Sequence, residues 1–199
     1  MRLIPHEQRT PEWFAARMGI PTASGFSKLI TPTGKPSTSA DGYINELVAE
    51  RITGKCVEIY VNEAMQRGTD LEPEARSFFV FFAGLDVIDA PLCLHDTIDA
   101  GASPDGFVGD DELLEIKCPS ASTHLEYLRN NCLPSKYVPQ VQGQLWITGK
   151  RKAHFVSYHP DLKPLIICVE RDEVFIDKLQ LEVIKAVEKI NQLVKEFSL

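Results

Sequence analysis

Three charged residues lie close enough in the chain to act together in one reaction, namely Asp105, Glu115 and Lys117. Because side chains alternate along a strand, Glu115 and Lys117 project from one face of a predicted strand. The apolar Leu114 and Ile116 project from the other face, which we expect to pack on a core. A carboxylate beside an ammonium near the end of a largely buried strand is costly unless it is used.

The chemistry that suits these residues is hydrolysis of a phosphate ester. Two carboxylates on adjacent strands can bind Mg²⁺, with Mn²⁺ as a substitute, because Mg²⁺ prefers hard oxygen ligands and keeps water for a substrate phosphate. Lys117 could orient or deprotonate the attacking water and offset charge in the transition state. The pattern therefore predicts a metal-assisted hydrolase.

This chemistry requires two strands that bring Asp105 opposite Glu115. The pattern of residues 100–118 predicts a β-hairpin with a polar turn. A hairpin centred on Asp110 places Asp105 opposite Glu115, whereas a two-residue loop at Asp110 and Asp111 misaligns them by one residue. We therefore predict an odd-numbered loop or a bulge at this turn.

Other elements must position the hairpin. Hydrophobic periodicity predicts helices over residues 11–18, 25–30, 43–54, 70–83, 138–146 and 176–197, and strands over 87–94, 153–158 and 165–170. Pro91 predicts a bulge or an edge in the first of these strands. The helix over 70–83 carries Glu72 in its first turn and is too apolar, with four phenylalanines, to be exposed. The length of 199 residues favours one domain over residues 1–199.

The formal net charge of −7 argues against a nucleic-acid partner, because phosphate contacts normally need a basic surface. The acidity is uneven: residues 1–60 have seven Lys and Arg against six Asp and Glu, whereas residues 61–199 have 14 against 22. Some of those carboxylates could be metal ligands, and a bound divalent ion reverses the local field. A protein that acts on DNA is therefore compatible with the composition.

Several other classes are disfavoured. The five cysteines and five histidines form no CxxC pair and no HExxH motif, which argues against a zinc enzyme and a disulfide framework. No stretch approaches the length of a membrane span, and the N-terminus lacks the features of a secretory signal. We therefore expect a cytoplasmic protein with reduced thiols, in a bacterial or phage-infected host cell, and no membrane partner.

The segment Ser103-Pro104-Asp105-Gly106, together with Glu115-x-Lys117 that begins ten positions after Asp105, resembles the PD-(D/E)xK nuclease superfamily. Over residues 13–196 the chain further resembles the lambda exonuclease family of viral recombination nucleases. The matching stretches are residues 13–24, 43–54, 68–76, 103–106, 114–119, 140–142 and 169–173. The resemblance implies an α/β (α+β) fold with a central mixed β-sheet flanked by helices, around a restriction-endonuclease-like core.

The resemblance also implies roles for particular residues. It assigns catalysis or metal binding to Asp105, Glu115, Lys117, the carbonyl of Ile116, Glu72 and Gln140. On the residues alone, Glu72 is equally well explained by the dipole of its helix, and Gln140 as a surface helix residue.

A second set of residues matches the family's pocket for the 5'-phosphate end of duplex DNA: Arg17, Ser24 and Ser103. Ser24 at a helix N-terminus offers donors to a phosphate, and Arg17 can bind one bidentately. Without the resemblance, Ser24 is a plain helix cap and Arg17 a solvated charge. Lys35, in the loop over residues 31–42, is a candidate contact to the DNA backbone.

The chain departs from the family pattern at one position. The family has an arginine six residues after the catalytic lysine, where this chain has Thr123. Arg129 or Lys136 could replace that cation, and the sequence does not choose between them.

The function implied is a Mg²⁺-dependent 5' to 3' exonuclease that digests one strand of linear double-stranded DNA and leaves a 3' overhang for recombination. The resemblance further implies a homotrimer and a single-strand annealing protein as partner. Two alternatives stay open: an endonuclease of the same superfamily, and a non-catalytic protein that binds DNA ends.

Overall fold

The computed structural model describes residues 1–56 and 63–199, in which a group of helices is followed by a run of strands and then by further helices and strands. The α-helices are α1 (Pro11–Arg17), α2 (Ala40–Thr53), α3 (Glu63–Ala83), α4 (Ala121–Asn130), α5 (Val138–Thr148) and α6 (Glu173–Phe197). The strands are β1 (Arg2–Ile4), β2 (Val87–Ile88), β3 (Leu92–Leu94), β4 (Gly101–Ala102), β5 (Gly106–Val108), β6 (Glu112–Lys117), β7 (Lys152–Ser157) and β8 (Leu165–Glu170). Two 3₁₀ helices cover Ala23–Lys28 and Ser135–Tyr137.

The larger sheet has five strands in the order β2-β5-β6-β7-β8. The pairing of β6 with β7 is parallel, and the other pairings are antiparallel. The predicted mixed sheet flanked by helices is thus confirmed. A smaller antiparallel sheet has the order β1-β3-β4.

The predicted odd-numbered loop of the hairpin is confirmed, whereas the pairing of Asp105 with Glu115 is not observed. In the pairing of β5 with β6, Gly106 lies opposite Leu114 and Val108 lies opposite Glu112. Three residues, 109–111, therefore form the loop. The regular pairing ends at Gly106, and Asp105, just before β5, instead donates its amide to the carbonyl of Leu114. Gly109 has a φ of +54°, a conformation that glycine adopts without a steric penalty.

The core lies on both faces of the larger sheet, which periodicity did not predict. Leu114 and Ile116 pack with Phe79 of α3 on one face. Leu113, on the Glu115 face, belongs to a second buried cluster that includes Leu145 of α5. The face of β6 that carries Glu115 is therefore covered by α5 and also contains apolar side chains.

Two predicted elements have different bounds. The strand predicted over 87–94 is wrong: β2 and β3 belong to different sheets, and Pro91, which has no backbone N–H, lies between them. The helix predicted over 70–83 begins at Glu63, so Glu72 lies near its middle. The helix-dipole explanation of Glu72 is wrong, because that effect is confined to the first turn.

The burial predicted for the end of α3 is also only half right. Phe79 is buried, but Phe81 and Phe82 are 89% and 70% exposed. The face of α3 that carries Ala75 and Phe79, four residues apart, packs on the sheet, and Phe81 and Phe82 lie outside it.

None of the helices in the described ranges is long and apolar enough to cross a membrane.

Candidate active site

Asp105 is fixed in place by the backbone of β6. Its amide N–H donates to the carbonyl of Leu114 at 3.0 Å. Its Oδ2 accepts a hydrogen bond of 2.6 Å from the amide of Ile116, and Arg76 donates to its carbonyl. The carboxylate therefore lies beside the backbone of the strand that carries Glu115.

Glu115 is a buried carboxylate, with 1% exposure, and it is held by three side-chain donors. Lys117 Nζ and Gln140 Nε2 both donate to Oε1, the second at 2.6 Å. Gln144 Nε2 donates to Oε2, also at 2.6 Å. Because a buried charge is costly unless it is paired and hydrogen-bonded, these donors are what makes Glu115 tolerable in the core.

Gln144 is a site residue that the sequence interpretation missed. It lies one turn after Gln140 on α5, so both amides reach the same carboxylate. Its Oε1 is buried without a hydrogen-bond partner among the described residues. The spacing of four residues on a predicted helix is the signal that could have identified it.

The ionisable groups of the site perturb one another. Burial raises the pKa of Asp105 well above its usual range, and the nearby carboxylates of Glu115 and Glu72 raise it further, against the opposing effect of Lys117. Burial alone would lower the pKa of Lys117, but Glu115 and Asp105 outweigh burial and raise it. The site therefore combines repelling carboxylates with a protonated lysine.

Most of the predicted catalytic residues line one cavity of about 680 Å³. The predicted residues along its wall are Glu72, Asp105, Ile116, Lys117 and Gln140. Glu115 is buried directly behind it, through its bonds to Lys117 and Gln140. The structure thus brings together all six residues to which the resemblance gives catalytic or metal-binding roles.

The donor set fits a hard divalent cation such as Mg²⁺. Asp105, Glu115 and the Ile116 carbonyl could supply oxygen ligands, and a cation would relieve the repulsion between the two carboxylates. No group of three or more His, Cys, Asp or Glu side chains within residues 1–56 and 63–199 is arranged to hold a metal. The remaining ligands would therefore be water or substrate, as is usual for Mg²⁺.

The three residues predicted to bind a 5'-phosphate meet in a second cavity, of about 190 Å³. Arg17, Ser24 and Ser103 all line it. Arg17 Nη2 donates to Thr22 Oγ1 at 2.8 Å and to Ser24 Oγ at 3.4 Å, and its guanidinium carbon lies 4.3 Å from the centre of the Trp13 ring. Thr22 and Trp13 are contributors that the sequence interpretation missed, although Trp13 precedes Arg17 by one helical turn.

The details of this second cavity differ from the prediction in one respect. Ser24 lies inside the 3₁₀ helix and Thr22 is its N-cap, so Ser24 is not the cap residue. Burial lowers the pKa of Arg17, and Tyr43 and Glu50 oppose that effect. A desolvated guanidinium beside hydroxyl groups is a suitable receptor for an anion.

The structure distinguishes among the remaining candidate cations. Lys136 lines the 680 Å³ cavity together with Thr123, and its Nζ lies 4.9 Å from the centre of the Tyr137 ring. Arg129 is exposed on α4 and does not line that cavity. Lys35 is exposed and lines neither cavity.

Comparison with solved structures gives extensive matches. The crystal structure of an alkaline exonuclease, LHK-Exo, from Laribacter hongkongensis is 37% identical with a TM-score of 0.87, and the match covers 94% of this chain and 95% of that one. LHK-Exo in complex with dAMP matches with 38% identity, a TM-score of 0.86 and the same coverage. A phage related exonuclease from Haemophilus somnus 129PT shares the fold, with 19% identity, a TM-score of 0.72 and coverage of 90% and 96%.

A family model for the YqaJ-like viral recombinase domain matches residues 12–151, and no curated protein matches the chain significantly. The resemblance to lambda-exonuclease-like recombination nucleases and the predicted fold class are confirmed. The matches also support a nuclease function of the exonuclease type. This chain belongs to the family of YqaJ-like viral recombinase domains.

Proposed function

We propose that this protein is a Mg²⁺-dependent 5' to 3' exonuclease that digests one strand of linear double-stranded DNA and leaves a 3' overhang. One observation carries the proposal: the cavity with Arg17 and Ser103 adjoins the cavity with Asp105 and Lys117, and Gln140 lines both. A receptor for a strand end next to a hydrolytic centre is the arrangement that an exonuclease needs.

The local charge supports a DNA substrate despite the acidic composition. Several cations line the two cavities or the cavity of about 390 Å³ beside them: Arg9, Arg17, Arg67, Arg76, Lys117 and Lys136. The carboxylates that line the same cavities are fewer: Glu7, Glu72, Asp89 and Asp105. An excess of positive charge in a cleft attracts a polyanion even when the whole protein is acidic. The net charge of −7 is therefore no objection to this substrate.

The residues of the centre divide the chemistry between them. Mg²⁺ held by Asp105, Glu115 and the Ile116 carbonyl would polarise the phosphate and acidify a bound water. Lys117 orients the attacking water and offsets negative charge on the phosphorus oxygens. Gln140 uses one amide hydrogen on Glu115 and has a second to donate to the phosphate.

The bond that breaks is the one between phosphorus and the 3'-oxygen of the terminal nucleotide. The water oxygen joins phosphorus, and the leaving 3'-oxygen takes up a proton. The released mononucleotide keeps its original 5'-phosphate, and the shortened strand gains a new one for the next cycle. The structure of LHK-Exo in complex with dAMP, a deoxynucleoside monophosphate, agrees with a product of this kind.

The proposal includes the partners that the family resemblance implies. These are a homotrimer as the working assembly and a single-strand annealing protein that receives the 3' overhang. Lys136 replaces the arginine that the family has at the position of Thr123, because Lys136 lines the reaction cavity and Arg129 does not.

The experiment that tests the function compares three DNA substrates with and without Mg²⁺. We expect digestion of a linear duplex with 5'-phosphate ends, slower digestion with 5'-hydroxyl ends, and no cutting of a closed circle. Strand-specific end labels should show loss from the 5' side only. Equal cutting of circles would indicate an endonuclease, and binding without digestion would indicate a non-catalytic end-binding protein.

A further inference from the structure

Arg9 contributes to the positive charge of the cleft, and its position points to a more specific role. It precedes Thr10, the N-cap of α1, and lines three neighbouring cavities. One is the cavity with Arg17, Ser24 and Ser103, and another is the reaction cavity. Arg9 therefore lies where the proposed receptor for the strand end meets the hydrolytic centre.

The backbone holds Arg9 in an unusual conformation. Its φ is +71°, a region that residues other than glycine seldom adopt. The flanking residues fix it there: Thr10 Oγ1 donates to the Glu7 carbonyl at 2.7 Å, and Gln8 Nε2 donates to the Pro104 carbonyl at 2.9 Å. Pro104 directly precedes Asp105. The bond from Gln8 therefore anchors the backbone next to Arg9 to the segment that carries a proposed metal ligand.

The side chain is oriented but still accessible. Arg9 Nη2 forms an ion pair with Glu72 Oε2, and the Arg9 side chain is 50% exposed. A guanidinium carries five N–H donors in a planar fork, so the bond through Nη2 leaves donors for a second anion. Glu72 thus orients Arg9 toward the junction of the cavities without using all of its donors.

We propose that Arg9 binds a backbone phosphate of the strand being digested, at the junction between the 5'-end pocket and the reaction centre. The inference rests on the proposed exonuclease function and deepens it. A cation at this junction holds the strand on both sides of the terminal nucleotide, which places the first internal phosphodiester bond at the hydrolytic centre.

The test uses two substitutions of Arg9 and a matched control. Arg9→Gln removes the charge. Arg9→Gly removes the charge and also relieves the strain of the positive φ, so the melting temperature of the glycine variant should not fall. Arg151→Gln is the control, because Arg151 is an exposed arginine that pairs with Asp111 at 2.6 Å and lines none of these three cavities. Arg9→Lys keeps a charge without the fork.

Two measurements are made on each variant. Binding of a 5'-phosphorylated duplex is measured in EDTA over a range of salt concentrations, and KM and kcat for digestion are measured with Mg²⁺. Both Arg9→Gln and Arg9→Gly should weaken binding about tenfold and lower the slope of log K against log salt by about 0.9, as expected for one lost phosphate contact. KM should change more than kcat, Arg9→Lys should restore part of the affinity, and Arg151→Gln should match the unmodified protein.

The results separate this inference from the proposed function. Digestion by the unmodified protein together with unchanged binding and KM in Arg9→Gly would overturn the role of Arg9 alone. Weaker, less salt-dependent binding in Arg9→Gly, with no digestion by any variant, would support the phosphate contact and reject the exonuclease. Restoration of the binding affinity measured in EDTA to Arg9→Gln by a second change, Glu72→Gln, would show that Arg9 only neutralises Glu72, and would also overturn the inference.

Discussion

The reaction centre and the 5'-end pocket are adjacent but are built in different ways. Glu115 is buried, and its donors come from β6 and α5, a central strand and a helix. The pocket with Arg17, Ser24 and Ser103 is assembled from a short helix, a 3₁₀ helix and the segment between β4 and β5. Regular, buried elements hold reacting groups accurately, whereas short connecting segments more easily change what they recognise. Thr123, where the chain departs from the family pattern, lines the wall of the reaction cavity and not the 5'-end pocket.

The largest effect should come from the reaction centre. Lys117→Ala should slow single-turnover digestion by about 10³-fold, because it removes the group proposed to orient water and offset transition-state charge. Binding of duplex ends should change little. Lys163→Ala, an exposed lysine outside the site, serves as the control. Near-normal turnover in Lys117→Ala would remove Lys117 from the chemistry.

The 5'-end pocket should respond differently. Arg17→Gln should raise KM for 5'-phosphorylated ends by about 10- to 100-fold, since it removes charge-assisted hydrogen bonds to the terminal phosphate. Ends with a 5'-hydroxyl should be affected much less, so the preference for phosphorylated ends should disappear. If the variant keeps that preference, the pocket does not bind the 5'-phosphate.

Gln144→Leu tests how firmly the reaction centre holds the carboxylate of Glu115. It deprives the buried Glu115 Oε2 of its donor, which should lower the free energy of unfolding by about 1–3 kcal/mol. Because Glu115 is then held less firmly, half-maximal activity should need several times more Mg²⁺. Thermal denaturation and a Mg²⁺ titration measure the two effects, with Gln192→Leu on the exposed side of α6 as control. An unchanged Mg²⁺ requirement would limit Gln144 to a structural role.

The smallest effect concerns the hairpin loop that sets the register. Gly109→Ala should lower the free energy of unfolding by about 1 kcal/mol, because alanine is strained at a φ of +54°. Nothing lies within 4 Å of the added Cβ, so the register and the activity should be kept. A large loss of activity would show that this loop does more than connect β5 and β6.

The sequence predicted the reaction centre better than its surroundings. The alternation along β6 and the three-residue loop around Asp110 depend on local rules, and together they bring Asp105 beside the part of β6 that carries Glu115. The cover that α5 provides over Glu115 depends on packing between distant segments, which periodicity does not encode. Gln144 was missed for that reason.

Other differences have equally specific causes. The start of α3 was placed too late because the polar residues after Glu63 give no apolar periodicity. Phe81 and Phe82 were expected to be buried because composition does not show which face of a helix packs on the sheet. The meeting of three cavities at Arg9 depends on tertiary structure alone, so no local pattern predicts it.

The most direct test is the identity of the first product. A linear duplex labelled on its 5'-phosphate is mixed with excess protein, and the labelled product of one turnover is identified with and without Mg²⁺. We predict a labelled 5'-mononucleotide that appears only with Mg²⁺ and is absent with Asp105→Asn. Release of labelled oligonucleotides, or release that is independent of the metal or of Asp105, would contradict a metal-dependent exonuclease built on Asp105, Glu115 and Lys117.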